Sequence, residues 1–158
     1  MTNAVNGKAV LHLPRLVARV DRLMAAAVTA QAVLVLADFL LLGLLAGGVA
    51  LLEGACLAVF GIVGPAIGVT RHFRVAARDG AGLVLASAAG SLVLGLLFHF
   101  ALGGPASLRV IVHSGASLAR LFEVSVTLQV AASAAAVLVA ALALRRRTSI
   151  LSLGRLPG

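Results

Sequence analysis

The chain has neither tryptophan nor tyrosine, only one cysteine and only five acidic residues in 158. Each scarcity excludes something. A lone thiol, Cys56, can close no intramolecular disulfide and can build no thiolate metal cluster. Without Trp or Tyr there are no aromatic belts of the kind that anchor membrane proteins at the lipid–water boundary, so arginine is expected to do the anchoring. Charged residues make up 11% of the chain. A soluble domain carries roughly 25%, so water is not expected to be the main solvent here. Catalytic signatures are missing too: there is no Gly-x-Ser-x-Gly elbow, no phosphate loop ending in Lys and no His-Glu-x-x-His. An enzyme is not expected.

Apolar residues are what the chain does have, at 61% of the total with a mean hydropathy of +1.13. A membrane-spanning helix needs about 20 of them in succession. Four windows qualify, at about 24–46, 49–69, 81–102 and 124–144, within a transmembrane domain covering 23–147. The fold class expected is therefore an all-α integral membrane protein, an antiparallel four-transmembrane-helix bundle. Gly47-Gly48 separates the first two windows, and Gly103-Gly104-Pro105 opens the longest loop. Asp79 and Ser117 are the expected N-caps of the third and fourth helices.

Residues 1–22 read differently. Pro14 suits a first helical position, with Leu13, Leu16, Val17, Val20 and Leu23 on one side and Arg15, Arg19 and Arg22 near the other. This is the pattern of a short amphipathic helix lying on a membrane or leading into the first span. Ala30-Gln31-Ala32 resembles a signal-peptide cleavage site, but hydrophobicity continues well past it and cleavage is not expected.

Charge gives the expected orientation. Eleven of the 13 Lys and Arg residues fall in the N-terminal segment, the second loop and the tail at 148–158 with its preceding Arg145-Arg146-Arg147; only Arg109 and Arg120 fall on the other side. The positive-inside rule puts both termini in the cytoplasm, in a bacterial-type inner membrane. The net charge of +8 then reflects topology and attraction to anionic lipid rather than nucleic-acid binding.

Chemistry is sparse. From Met24 to Val69 the only charged side chains are Asp38 and Glu53, and a bilayer penalises both strongly. On the expected topology Asp38 lies roughly 12 Å and Glu53 roughly 6 Å below the outer face, at 1.5 Å per residue. His99 and Glu123 fall in the same outer half, and His113 in the outer loop. Gln31 shares a face with Asp38; Ser87, Ser91, Gly95 and His99 recur every four residues, as do Ser125, Gln129 and Ser133. Gly61, Gly64, Gly68 and Gly95 mark small-residue packing faces, and Pro65 is expected to kink the second span.

Three functional classes follow. The first is an accessory or structural subunit of a larger transport or respiratory complex, its buried acids pairing with a partner's cation. The second is a proton or cation channel or transporter using Asp38, Glu53, His99 and Glu123, with Gln31 and Gln129 alongside. The third is a metal- or haem-binding subunit, for which His99 and His113 are the only candidate ligands; no cofactor is otherwise expected. Expected partners are the lipid bilayer and either other membrane subunits or further copies of the chain.

Overall fold

The protein is almost entirely helical, and no strand occurs among the described residues, which are 6–46, 50–102, 107–113 and 117–153 in a computed structural model. Side chains are described for 17–45, 50–102, 107–113 and 117–146. The elements are α1 (Asn6–Ala46), α2 (Leu51–Ala58), a π-helical turn (Val59–Val63), α3 (Gly64–Arg74), α4 (Ala77–Leu96), a second π-helical turn (Leu97–Ala101), α5 (Leu108–His113) and α6 (Ala119–Leu153). Four stretches are long and apolar enough to cross a membrane: Val17–Leu45, Leu51–Arg74, Ala77–Ala101 and Ala119–Arg146.

Several boundaries differ from the sequence expectation. The amphipathic segment and first span are one helix, and Pro14 lies inside it rather than in its first turn. No Gly or Pro interrupts 15–42, so nothing ends the helix between the arginines and the apolar run. The second stretch continues past Val69 to Arg74, taking His72 into the helix. The chain then turns at Val75 and Ala76, the latter extended at φ −144° and ψ 94°. Asp79 is consequently in the first turn of α4, where its charge complements the helix N-terminus, and does not cap it. Helix α6 starts at Ala119, and the carbonyl of Leu118 accepts its first bond, from the Phe122 N–H at 3.0 Å, so Ser117 lies outside the helix. The Gly47-Gly48 and Gly103-Gly104-Pro105 connections lie outside the described residues.

Pro65 accounts for the first π turn. Proline has no N–H to return to the preceding turn and its ring crowds the carbonyl there. The ladder widens just before it, with the Gly64 N–H donating to the Val59 carbonyl. The second π turn carries His99 and closes where the Leu102 N–H donates to the Leu97 carbonyl at 2.7 Å.

Glycines set the packing of α3 and its π turn against α4. A Cβ on Gly61 would meet Val35 and Ser91, one on Gly64 would meet the Ser87 side chain, and one on Gly68 would meet Val84 and the Gly80 carbonyl. Gly80 in turn lies against the His72 backbone. As numbers rise along α3 they fall along α4. The same holds for α4 and α6, where Ser91 meets Ser133 and Gly95 meets Gln129.

Apolar side chains form two separate clusters. One holds Val20, Met24, Val28, Ala81, Val84, Ala88, Ala136, Ala140 and Ala143. The other holds Leu41, Leu42, Ile111, Ala119, Phe122 and Val126, so α5 folds onto the far end of α1 and the start of α6. The zone between them is polar. Outward, the surface is greasy: Leu40, Leu44, Leu51, Leu52 and Leu138 are all strongly exposed.

Candidate functional site: a buried polar column

Every polar residue singled out within the four apolar windows turns inward, whereas Glu123, just before the fourth, does not. Gln31, Asp38, Glu53, Ser87, Ser91, His99, Ser125, Gln129 and Ser133 are all buried. Contacts between helices set the levels of most of them. One layer joins Val35, Gly61, Ser91 and Ser133, whose Oγ lies 3.5 Å from Ser91 Oγ. The next joins Gly95 to the Gln129 amide, 3.2 Å from where a Cβ would stand. Beyond it Asp38 lies beside Ser125, and the His99 ring meets Phe122 edge-on with centroids 5.7 Å apart. Ser91 of α4 and His99 of the following π turn are eight residues apart along one helical stretch, so the column is about 12 Å long at 1.5 Å per residue.

Several of their polar atoms are unsatisfied. Both amide atoms of Gln31, both Asp38 carboxyl oxygens, Glu53 Oε1, Ser125 Oγ and Gln129 Oε1 have no hydrogen-bond partner in the protein. Ser125 is near enough to Asp38 to influence it, but the pair does not reach hydrogen-bond geometry. An unsatisfied buried polar group costs about 1–3 kcal/mol. The outward-facing threonines behave oppositely: Thr29, Thr70 and Thr127 donate to the carbonyls of Ala25, Ala66 and Glu123 at 2.9, 2.8 and 2.8 Å. Hydroxyls on the apolar exterior are thus satisfied by their own helix, while the column inside is not.

The column is closed at both ends by apolar side chains. Leu41, Leu42 and Phe122 lie one turn beyond Asp38 and Ser125, while Met24, Val28, Val84 and Ala136 lie on the side towards the arginines. Asp38 is only 3% exposed. Glu53 lies in the first turn of α2.

No family model matches the chain. Comparison with curated proteins and with solved structures likewise gives no match.

Two candidates fall outside the column. Glu123 is exposed, because α6 buries Phe122, Ser125, Val126 and Gln129 on the opposite side. His113 is exposed and its Nδ1–H donates to the Arg109 carbonyl at 2.7 Å. His99 is buried and His113 exposed, and no cluster of three or more His, Cys, Asp or Glu suited to a metal occurs among the described residues. The packing glycines Gly61, Gly64, Gly68 and Gly95 all face neighbouring helices.

One polar pair had no part in the sequence reading. His72 Nε2 lies 2.9 Å from Asp21 Oδ1, and His72 Nδ1 lies 2.7 Å from the Ala77 carbonyl. The imidazole is 1% exposed and the carboxylate 17%. The sequence signal available was a four-residue step, Gly64, Gly68, His72, which extends the packing stripe beyond the apolar window.

Proposed function

We propose that the protein is an antiparallel four-helix bundle in a bacterial-type cytoplasmic membrane, with both termini inside, and that its polar column carries protons across the membrane. The observation that carries this reading is the set of buried polar atoms without hydrogen-bond partners that the first, second and fourth spans contribute, together with the buried Ser91 and His99 of the third. Ionisable groups at membrane depth are expensive and mark conduction paths or relays. Asp38, Glu53 and His99 are groups that take up and release protons, while Gln31, Gln129 and the serines are suited to ordering water between them. Opposite numbering of neighbouring helices supports the antiparallel arrangement. The outward leucines and self-satisfied threonines support lipid on the outside. The described conformation is closed, since apolar layers cover both ends of the column.

The accessory-subunit reading requires Asp38 or Glu53 to meet a cation on a partner helix. Burial of both acids beneath the chain's own helices favours the internal path instead. The test is to reconstitute the purified chain in potassium-loaded vesicles, impose a membrane potential with valinomycin, and follow an entrapped pH dye. Proton flux above that of protein-free vesicles supports the proposal. Flux at the protein-free level rejects it.

A further inference from the structure

We infer that His72 and Asp21 form a proton-dependent clasp that holds the Arg-rich end of the column shut. The inference rests on the proton-path reading above and supplies its regulation.

The clasp joins three segments through one ring. His72 belongs to α3, Asp21 to α1, and Ala77 to the start of α4. A carbonyl only accepts, so the bond to Ala77 requires a proton on Nδ1. The contact between Nε2 and Asp21 Oδ1 then needs a second proton, on either the ring or the carboxyl. With that proton present, α1 is tied to the α3–α4 turn. Once it is lost, the ring keeps one proton for two acceptors, the Ala77 carbonyl and the Asp21 carboxylate, so one of the two ties breaks and the three segments are no longer joined.

What the tie restrains is the apolar layer. Val20 neighbours Asp21 on α1, and Met24 and Val28 follow one and two turns on. These three side chains pack with Ala81, Val84 and Ala88 of α4 and with Ala136, Ala140 and Ala143 of α6. Separation of α1 from the α3–α4 turn would loosen that layer, and apolar constrictions gate by wetting. Asp21 also lines a small cleft with Val17, Val20, Ala143 and Arg146, so its carboxylate is reachable from solvent while His72 lies behind it.

Other charged groups surround the clasp. Arg146 shares the cleft; Arg22 on α1, Arg71 and Arg74 on α3, Arg78 and Asp79 on α4, and Arg145 on α6 are exposed close by in sequence to the clasp residues or to Arg146. The arginines keep their charge throughout the physiological range, so the proton shared by His72 and Asp21 is the switching element. The sign is therefore fixed: acid at the Arg-rich face closes the end, and alkali releases it.

The test reads accessibility rather than flux. In a Cys56→Ser background, Ala88→Cys puts a thiol in the apolar layer, and Val75→Cys gives a reference thiol at a position 78% exposed. Membrane-impermeant thiol reagent is applied to the Arg-rich face of native-orientation inverted vesicles at pH 6 and pH 8.5. Dividing the Ala88→Cys rate by the Val75→Cys rate removes the ordinary rise in thiolate. The ratio should rise at least tenfold with pH, and should be high at both pH values in Asp21→Ala and His72→Ala. A ratio independent of pH with the native pair overturns the clasp, whatever the variants do. The two readings fail separately: a pH-dependent ratio without proton flux removes the path and leaves the clasp, whereas flux with a constant ratio does the reverse.

Discussion

Gly95 of α4 and Gln129 of α6 meet so closely that a Cβ on the glycine would stand 3.2 Å from Gln129 Oε1, an oxygen with no hydrogen-bond partner in the protein. A close approach has been built around a buried amide and then left unsatisfied. Substituting Gln129 by Leu should separate stability from function. Removing the unpaired amide should stabilise the folded chain by about 1–3 kcal/mol, seen as a higher unfolding temperature in detergent. The same change should reduce proton flux at least tenfold. A variant that is both less stable and fully conducting would show that Gln129 is a packing residue.

Glycines in the bundle should divide sharply. Gly64 lies against the Ser87 side chain, whereas a Cβ on Gly82 meets nothing within 4 Å. Gly64→Ala should cost about 1–3 kcal/mol by overpacking. Gly82→Ala should be neutral or stabilise the helix by up to about 1 kcal/mol. Thermal unfolding of the two variants in the same detergent decides this.

Asp21 and His72 should be energetically coupled. At pH 6, a double-mutant cycle with Asp21→Ala and His72→Ala should return an interaction of about 0.5–3 kcal/mol, as contacting residues do. At pH 8.5 the coupling should be weaker. Equal coupling at both pH values would mean that the bond does not depend on the shared proton.

Exposed candidates should be silent. Glu123 and His113 both face away from the column. Glu123→Gln and His113→Ala should therefore leave flux within twofold of the native chain in the same vesicle assay. Loss of flux in either would require a route outside the bundle interior.

Much of the architecture was legible because a spanning helix has few alternatives: four apolar windows of sufficient length give four long helices. The four-residue recurrence of Ser87, Ser91, Gly95 and His99 likewise marks a face, and all four are buried. Helix ends were less legible. Whether Thr70–Arg74 continues the second helix depends on tertiary contacts, here the Gly68–Gly80–His72 approach, and not on hydropathy. The Asp21–His72 bond joins residues 51 apart in sequence, and nothing local in either segment announces the other. The facing of Glu123 was illegible for a related reason: it depends on the rotation of α6, set by Phe122, Val126 and Gln129.

The central claim is that Asp38 carries protons within the column. The most direct measurement compares native, Asp38→Glu and Asp38→Asn chains, reconstituted at equal density, for dye-reported proton flux driven by a valinomycin-imposed potential. Asn keeps the size of Asp38 but cannot take up or release a proton at working pH, whereas Glu can. The account requires flux in the native chain, substantial flux in Asp38→Glu, and loss to the protein-free level in Asp38→Asn while the variant remains folded. Native-level flux in a folded Asp38→Asn chain would contradict it.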